Sequence, residues 1–305
     1  GDELADHLQP LLDAEEVLLR GVVADGRVED GARATDVGHC CTWKIGPDGV
    51  AYGVVSGVDS SSDVRASRIL AVDHRGVRAG WPVSFDGVTS GPAFGPSGRI
   101  VVTVADASLS RVLVFEPGGT DVSARSAHLP VATAEYSEDT GGCVVSSPQA
   151  PVVAQDGTIY VYSELDAAIH ALESSLTPVP DWPFEPGAPL AVARPGLESE
   201  HEAGYGPASV VPAVGQDGTL YLPLEARSTS VGGRLLAVGD DGQVRSGWPV
   251  DLRRPGSEFW SVVVGADGTA YALAIEPEPA GRSSATILAI APDSTVLYTT
   301  TIIEP

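Results

Sequence analysis

Three features of this sequence predict an all-β fold: a β-propeller of five four-stranded blades, with six as the alternative. One strand–turn–strand pattern returns five times along the chain. A second apolar strand, most often with Ala near its end, follows each return. Glycine and proline are abundant, 35 and 24 of 305 residues, and such a composition favours many turns over long helices.

The returning pattern is an apolar run, a turn and a second apolar run. It reads Ile45-Gly-Pro-Asp48-Gly49-Val-Ala-Tyr52, Ala154-Gln-Asp156-Gly157-Thr-Ile-Tyr160, Gly215-Gln-Asp217-Gly218-Thr-Leu-Tyr221 and Gly265-Ala-Asp267-Gly268-Thr-Ala-Tyr271. Gly95-Pro-Ser97-Gly98-Arg-Ile-Val101 is a degraded fifth copy, and the turn glycines recur every 49 to 61 residues. Asp-Gly between two apolar runs signals a hairpin, because glycine accepts the positive φ that a tight primed turn demands.

A third strand follows in each unit: Arg68-Ile-Leu-Ala-Val72, Arg111-Val-Leu-Val-Phe115, Ala168-Ile-His-Ala-Leu172, Arg234-Leu-Leu-Ala-Val238 and Thr286-Ile-Leu-Ala-Ile290. Another turn leads to a fourth strand. Three units then end in Gly80-Trp81-Pro82, Asp181-Trp182-Pro183 and Gly247-Trp248-Pro249. Proline fits an outer edge strand, where no N–H is needed. The three tryptophans are expected to pack between neighbouring sheets. Four short antiparallel strands per unit is the sequence sign of a propeller blade.

The units Ser147–Phe184 and Pro207–Val250 resemble the quinoprotein-like (PQQ-like) propeller repeat, and the Trp-Pro-Val ending resembles FG-GAP-like propellers. The resemblance spans residues 41–305 and implies the fold. FG-GAP blades carry an Asp-rich calcium loop. The turns here have a single Asp before Gly, so a calcium ion in every blade is not implied. Cys40 and Cys41 are adjacent, as in quinoprotein dehydrogenases, but without the surrounding motifs of those enzymes.

Residues 1–40 fit the repeat poorly and form a separate N-terminal segment before the propeller of residues 41–305. Pro10 interrupts a short acidic helical turn or linker, and a strand over Val17–Val23 follows. That strand either closes the ring against the last blade or is the remnant of a sixth. Val296–Ile303 reads as the outer strand of blade five. The first residue is Gly1 rather than Met, as in a chain whose leader was removed or that was trimmed from a longer one.

With 18 basic and 41 acidic side chains the net charge is -23, which opposes nucleic acid and anionic membrane surfaces as partners. Hydrophobic residues make up 43% of the chain, enough for a core. No apolar stretch approaches the length of a membrane span. The chain has no Met or Asn and one lysine, Lys44. That composition suits a long-lived secreted or cell-surface protein, or alternatively a GC-rich genome. Of three cysteines, Cys40 or Cys41 bridges Cys143, or Cys40 bridges Cys41, or all three are thiols.

Strand order places the Asp-Gly turns on one face and the long loops on the other, and long loops on a rigid scaffold are where binding residues gather. His39, Cys143, His201, Tyr205, Glu258 and Trp260 precede or open innermost strands. They are the candidate ligand-binding rim at one end of the axis, suited to cations or polyols. The alternative is a set of solvated acidic loops. Glu200-His201-Glu202 and His39 offer zinc-type donors without a zinc motif. Glu135, Glu138 and Asp139 are candidate calcium ligands; apart from calcium there, no cofactor is expected. No nucleophile elbow, Ser-His-Asp set or phosphate loop is legible. His170, mid-strand among apolar neighbours, reads as a packing residue. The expected function is a binding or scaffolding propeller whose partner is another protein or copies of itself. The alternative is a hydrolase or lyase acting on a carbohydrate or ester at the axis. The innermost strands carry no carboxylate pair for a glycosidase.

Overall fold

The computed structural model describes residues 41–58, 65–105, 110–123, 128–129, 149–163, 166–193, 208–209, 211–226, 230–278 and 282–303. Every strand pairing within them is antiparallel, and they contain no helix. The first sheet runs β1 (Cys41–Ile45), β2 (Ala51–Val58), β3 (Arg65–Asp73), with β4 (Gly76–Val77) and β5 (Val83–Asp86) both on the outer side of β3. In the second, β6 (Val88–Thr89) and β7 (Ala93–Phe94) line β8 (Ile100–Ala105), followed by β9 (Ser110–Phe115) and β10 (His128–Leu129). The third is β11 (Val152–Val153), β12 (Ile159–Ser163) and β13 (Ala168–Leu172). A separate pair, β14 (Val192–Ala193) and β15 (Ala208–Ser209), precedes the fourth sheet. That sheet is β16 (Ala213–Val214), β17 (Leu220–Leu224), β18 (Arg234–Val238) and β19 (Val250–Asp251). The fifth is β20 (Glu258–Val264), β21 (Ala270–Glu278), β22 (Arg282–Ile290) and β23 (Val296–Ile303).

Each repeat turns the chain in the same way. The first residue of the turn donates its N–H to the carbonyl four positions on, at 2.8–2.9 Å from Gly46 to Val50, Gly95 to Arg99, Ala154 to Thr158, Gly215 to Thr219 and Gly265 to Thr269. The glycine at the fourth position has φ of 74° to 93° and donates back to the first carbonyl. The hairpin is therefore a four-residue turn ending in a left-handed glycine, one residue longer on one strand than the two-residue primed turn expected. The Asp before that glycine fixes the turn. Its Oδ1 accepts the N–H of Thr158, Thr219 or Thr269 at 2.9–3.0 Å, and its Oδ2 accepts the same residue's hydroxyl. This side-chain turn is the physical content of the Asp-Gly-Thr signature.

The sheets stack face to face, and each interface is one apolar cluster. Tyr52, Val54 and Ile69 of the first sheet meet Ile100, Val102 and Phe115 of the second. Val101, Val112 and Val114 meet Ile159, Val161 and Leu172 of the third. Tyr160, Tyr162 and Ile169 meet Leu220, Leu222 and Leu224 of the fourth, whose Tyr221, Leu235 and Trp248 meet Phe259, Ala272 and Leu288 of the fifth. A middle sheet is covered on both faces, so β8, β12 and β17 are buried along their whole length. That is why they read as continuous apolar runs rather than alternating ones. Each fully buried Leu contributes roughly 1.5–3 kcal/mol.

The Trp-Pro pairs interrupt the outer strands instead of following them. Trp81-Pro82 separates β4 from β5, and Trp248-Pro249 directly precedes the two-residue β19. The indoles then reach forward. Trp81 Nε1 donates to Pro117 O at 3.1 Å, Trp182 Nε1 to Asp240 O at 3.4 Å and Trp248 Nε1 to Pro292 O at 2.9 Å. Each acceptor lies in the second turn of the next sheet. Trp81 and Trp248 are buried between sheets as expected, and Trp182, half-buried, packs against the cluster between the third and fourth sheets. Close approach explains the glycine before Trp81: a Cβ on Gly80 would lie 2.1 Å from Gly118 O, and its φ is +86°.

Candidate functional site

Both turns of a unit lie on one face, as strand order predicts. A Cβ on Gly157 would touch Ser174, one on Gly218 Asp240 and one on Gly268 Pro292, each joining first turn to second. The innermost strands end here, and β7, β11, β16 and β20 are neighbours in sequence along the stack. Between the strand ends lies an open depression of about 370 Å³. Pro47, Phe94, Pro96, Val153, Gln155, Val214 and Gln216 line it, drawn from the first four units. A second, of about 390 Å³, lies between the second and third sheets beside the Arg99–Glu116 ion pair of 2.9 Å.

The first depression offers apolar surface and two carboxamides, and none of its lining side chains is an acid, base or nucleophile at neutral pH. The aspartates on its face are engaged with their own turns. Asp48 accepts the Tyr52 hydroxyl at 3.0 Å and Arg78 at 2.9 Å. Asp267 accepts the Thr269 N–H and hydroxyl, which hold its carboxyl below the usual carboxylate range. Burial, reinforced by the hydrogen bond to Asp48, pushes the Tyr52 phenol up to about 12. Burial, with the Asp156 and Asp240 charges, does the same for Tyr160.

Of the expected axial rim, Glu258 and Trp260 are described. Both are half-buried at the start of β20, and Trp260 occupies a bulge between Phe259 and Ser261. His39, Cys143, His201 and Tyr205 lie outside the described residues, as do the calcium candidates Glu135, Glu138 and Asp139. Cys40 does too, and Cys41 is placed by its backbone alone, opposite Val55 on the first strand. No group of three His, Cys, Asp or Glu able to hold a metal occurs among the described residues. His170 Nε2 is 2.9 Å from Asp166 Oδ2, so the mid-strand histidine has a polar partner within its own hairpin.

Beyond Glu258 and Trp260, the last sheet holds four of the ten exposed large hydrophobic residues among those described, Val263, Val296, Leu297 and Tyr298. On β21 the covered residues are small: Ala270, Ala272 and Ala274 lie against the fourth sheet, completely buried. The opposite face bears the large residues Tyr271, Leu273, Ile275 and Ile287, half-buried, with Val263 58% and Tyr298 52% exposed. No core cluster joins this face to another sheet among the described residues. The sequence signal was the alternation of Ala with Tyr, Leu and Ile in β21, where β17 is uniformly large.

No protein-family model matches the chain, and no curated protein matches its sequence. Solved structures do match. The hydrazine synthase of Kuenenia stuttgartiensis aligns at 16% identity over 92% of this chain and 69% of that one, with a TM-score of 0.54. A streptogramin B lyase aligns at 13% identity over 90% and 85% of the two chains, with a TM-score of 0.48. The first of these is a β-propeller fold. The fold is propeller-like. At these identities the likeness speaks for architecture and not for chemistry. No helix among the described residues is long and apolar enough to cross a membrane.

Proposed function

We propose that this chain is a five-bladed binding or scaffolding propeller, engaged in protein–protein interaction or self-assembly at the cell surface or outside the cell. The observation that carries the reading is the last sheet, whose large apolar residues lie on the face that no described sheet covers. Contiguous exposed apolar surface on a folded protein marks an interaction site. The composition expected of a secreted protein supports the location. The test places a photo-crosslinking residue at Val263 and, as control, at the exposed hairpin residue Arg75, in the cell that makes the protein. Discrete higher-mass adducts at position 263 and none at position 75 are expected. Equal labelling at the two positions refutes the reading.

The second reading is a hydrolase or lyase acting on a carbohydrate or ester at the propeller axis. It is favoured by Glu258 and Trp260, an acid and an aromatic ring two positions apart where β20 begins. Turnover of fluorogenic glycosides or esters that Glu258→Gln abolishes without loss of fold decides for it.

A further inference from the structure

The outer strand of the last sheet differs from its counterparts. β23 runs through eight residues, Val296–Ile303, with one bulge at Leu297, while β4, β5 and β19 span two to four. It pairs with β22 along one side, and no strand pairs with its other edge among the described residues. Residues 296–301 are all exposed, Leu297 at 56% and Tyr298 at 52%. The strand holds neither a charge nor a proline. Sheets blunt their edges with short strands, prolines and charges, because an open row of N–H and C=O groups is a template for pairing. The first and fourth sheets follow that rule, whereas the fifth has only the bulge at Leu297 and leaves Tyr298–Ile303 regular.

We infer that β23 is the pairing edge for a second copy of this chain, joined antiparallel across a two-fold axis. The inference rests on the reading of the last sheet as a docking surface and names its occupant. Charge restricts where two copies can meet. Each copy carries a net charge of -23, so two copies can meet closely only where neither presents an acid, and β23 is such a strand. An isologous contact also needs a surface that complements itself. With Thr299 on the axis, it faces Thr299 of the second copy and Tyr298 faces Thr300, short of the bulge at Leu297. These are hydroxyl and aromatic–β-branched pairs that favour cross-strand contact. Thr301 is already anchored within its own sheet, its hydroxyl 3.2 Å from that of Thr286. The product is one continuous sheet running through both copies.

The test is the mass of the purified full chain in solution, by light scattering or sedimentation at micromolar concentration. Wild type is expected at twice the chain mass. Thr299→Lys and Thr299→Glu, each opposing a like charge at the axis, are expected at the single chain mass, with a melting temperature like that of wild type. Mixing the two variants is expected to restore the doubled mass. A monomeric wild type overturns the inference, and crosslinks at Val263 with other proteins would leave the docking reading standing. A dimer that survives both single variants, or variants that stay monomeric when mixed, overturns it as well.

Discussion

Trp248→Ala tests the claim that the tryptophans are core and couple one sheet to the next. Trp248 is 7% exposed, its ring lies edge-on to Tyr221 with centroids 5.4 Å apart at 71°, and its Nε1 donates to Pro292 O at 2.9 Å. Truncating a buried Trp costs about 3–5 kcal/mol. The lost aromatic pair accounts for about 0.5–1.5 kcal/mol, which a double-mutant cycle with Tyr221→Ala isolates. Thermal unfolding followed by circular dichroism is then expected to shift down by roughly 6–20 °C, at about 2–4 °C per kcal/mol for a large domain. Trp182→Ala is the internal control. Its ring is half-exposed and its hydrogen bond is longer, 3.4 Å, so its loss is expected to be clearly smaller. The reasoning is refuted if Trp182→Ala costs more than Trp248→Ala. It is also refuted if Trp248→Ala melts with wild type.

Two further outcomes are expected. Gly80→Ala places a Cβ 2.1 Å from Gly118 O at φ +86°, so it is expected to lose at least about 2 kcal/mol in urea unfolding, where positive φ alone costs about 1–2. Gly118→Ala, with nothing within 4 Å of its Cβ, is expected to be neutral, and equal losses would contradict the close approach. Tyr52 and Tyr160 titrate near 12 in the folded chain against 10 for an ordinary phenol. Their contribution is therefore complete below pH 10 and is lost as pH rises toward 12. Melting temperature measured across that window is expected to fall, and less steeply in Tyr52→Phe.

The turns and the buried strands were legible because each is a local statement. Asp217-Gly-Thr219 names its own hydrogen bonds, and Leu220–Leu224 declares burial on both faces by having no polar side. The forward reach of the indoles was not legible, because the acceptors are main-chain carbonyls of Pro117, Asp240 and Pro292, and any residue supplies a carbonyl. The interruption of the outer strands at Trp-Pro was misjudged for a related reason. Proline announces that an N–H is missing but not whether the strand resumes, and in the first sheet it resumes as β5. The first depression lies where the innermost strands end, with Gly95, Ala154 and Gly215 in its lining. Of the proposed rim, Glu258 and Trp260 lie at the start of β20, and the other four positions lie outside the described residues.

The three indole donors all point from an earlier sheet to a later one, over 36, 58 and 44 residues of chain. Sequence order and contact order therefore run the same way. A polypeptide emerging from the ribosome completes each tryptophan before the turn that will accept its proton has been made. The finished part of the stack can hold all its earlier contacts while it waits, and each new sheet arrives at a surface already prepared for it. The closure that each step demands is one unit long, whatever the length already assembled, so its entropic toll does not grow as the chain does. Truncation is correspondingly lopsided. Loss of either end sheet uncovers its neighbour, but loss of the first only leaves a turn carbonyl to water, whereas loss of the fifth leaves the Trp248 indole with no carbonyl to reach.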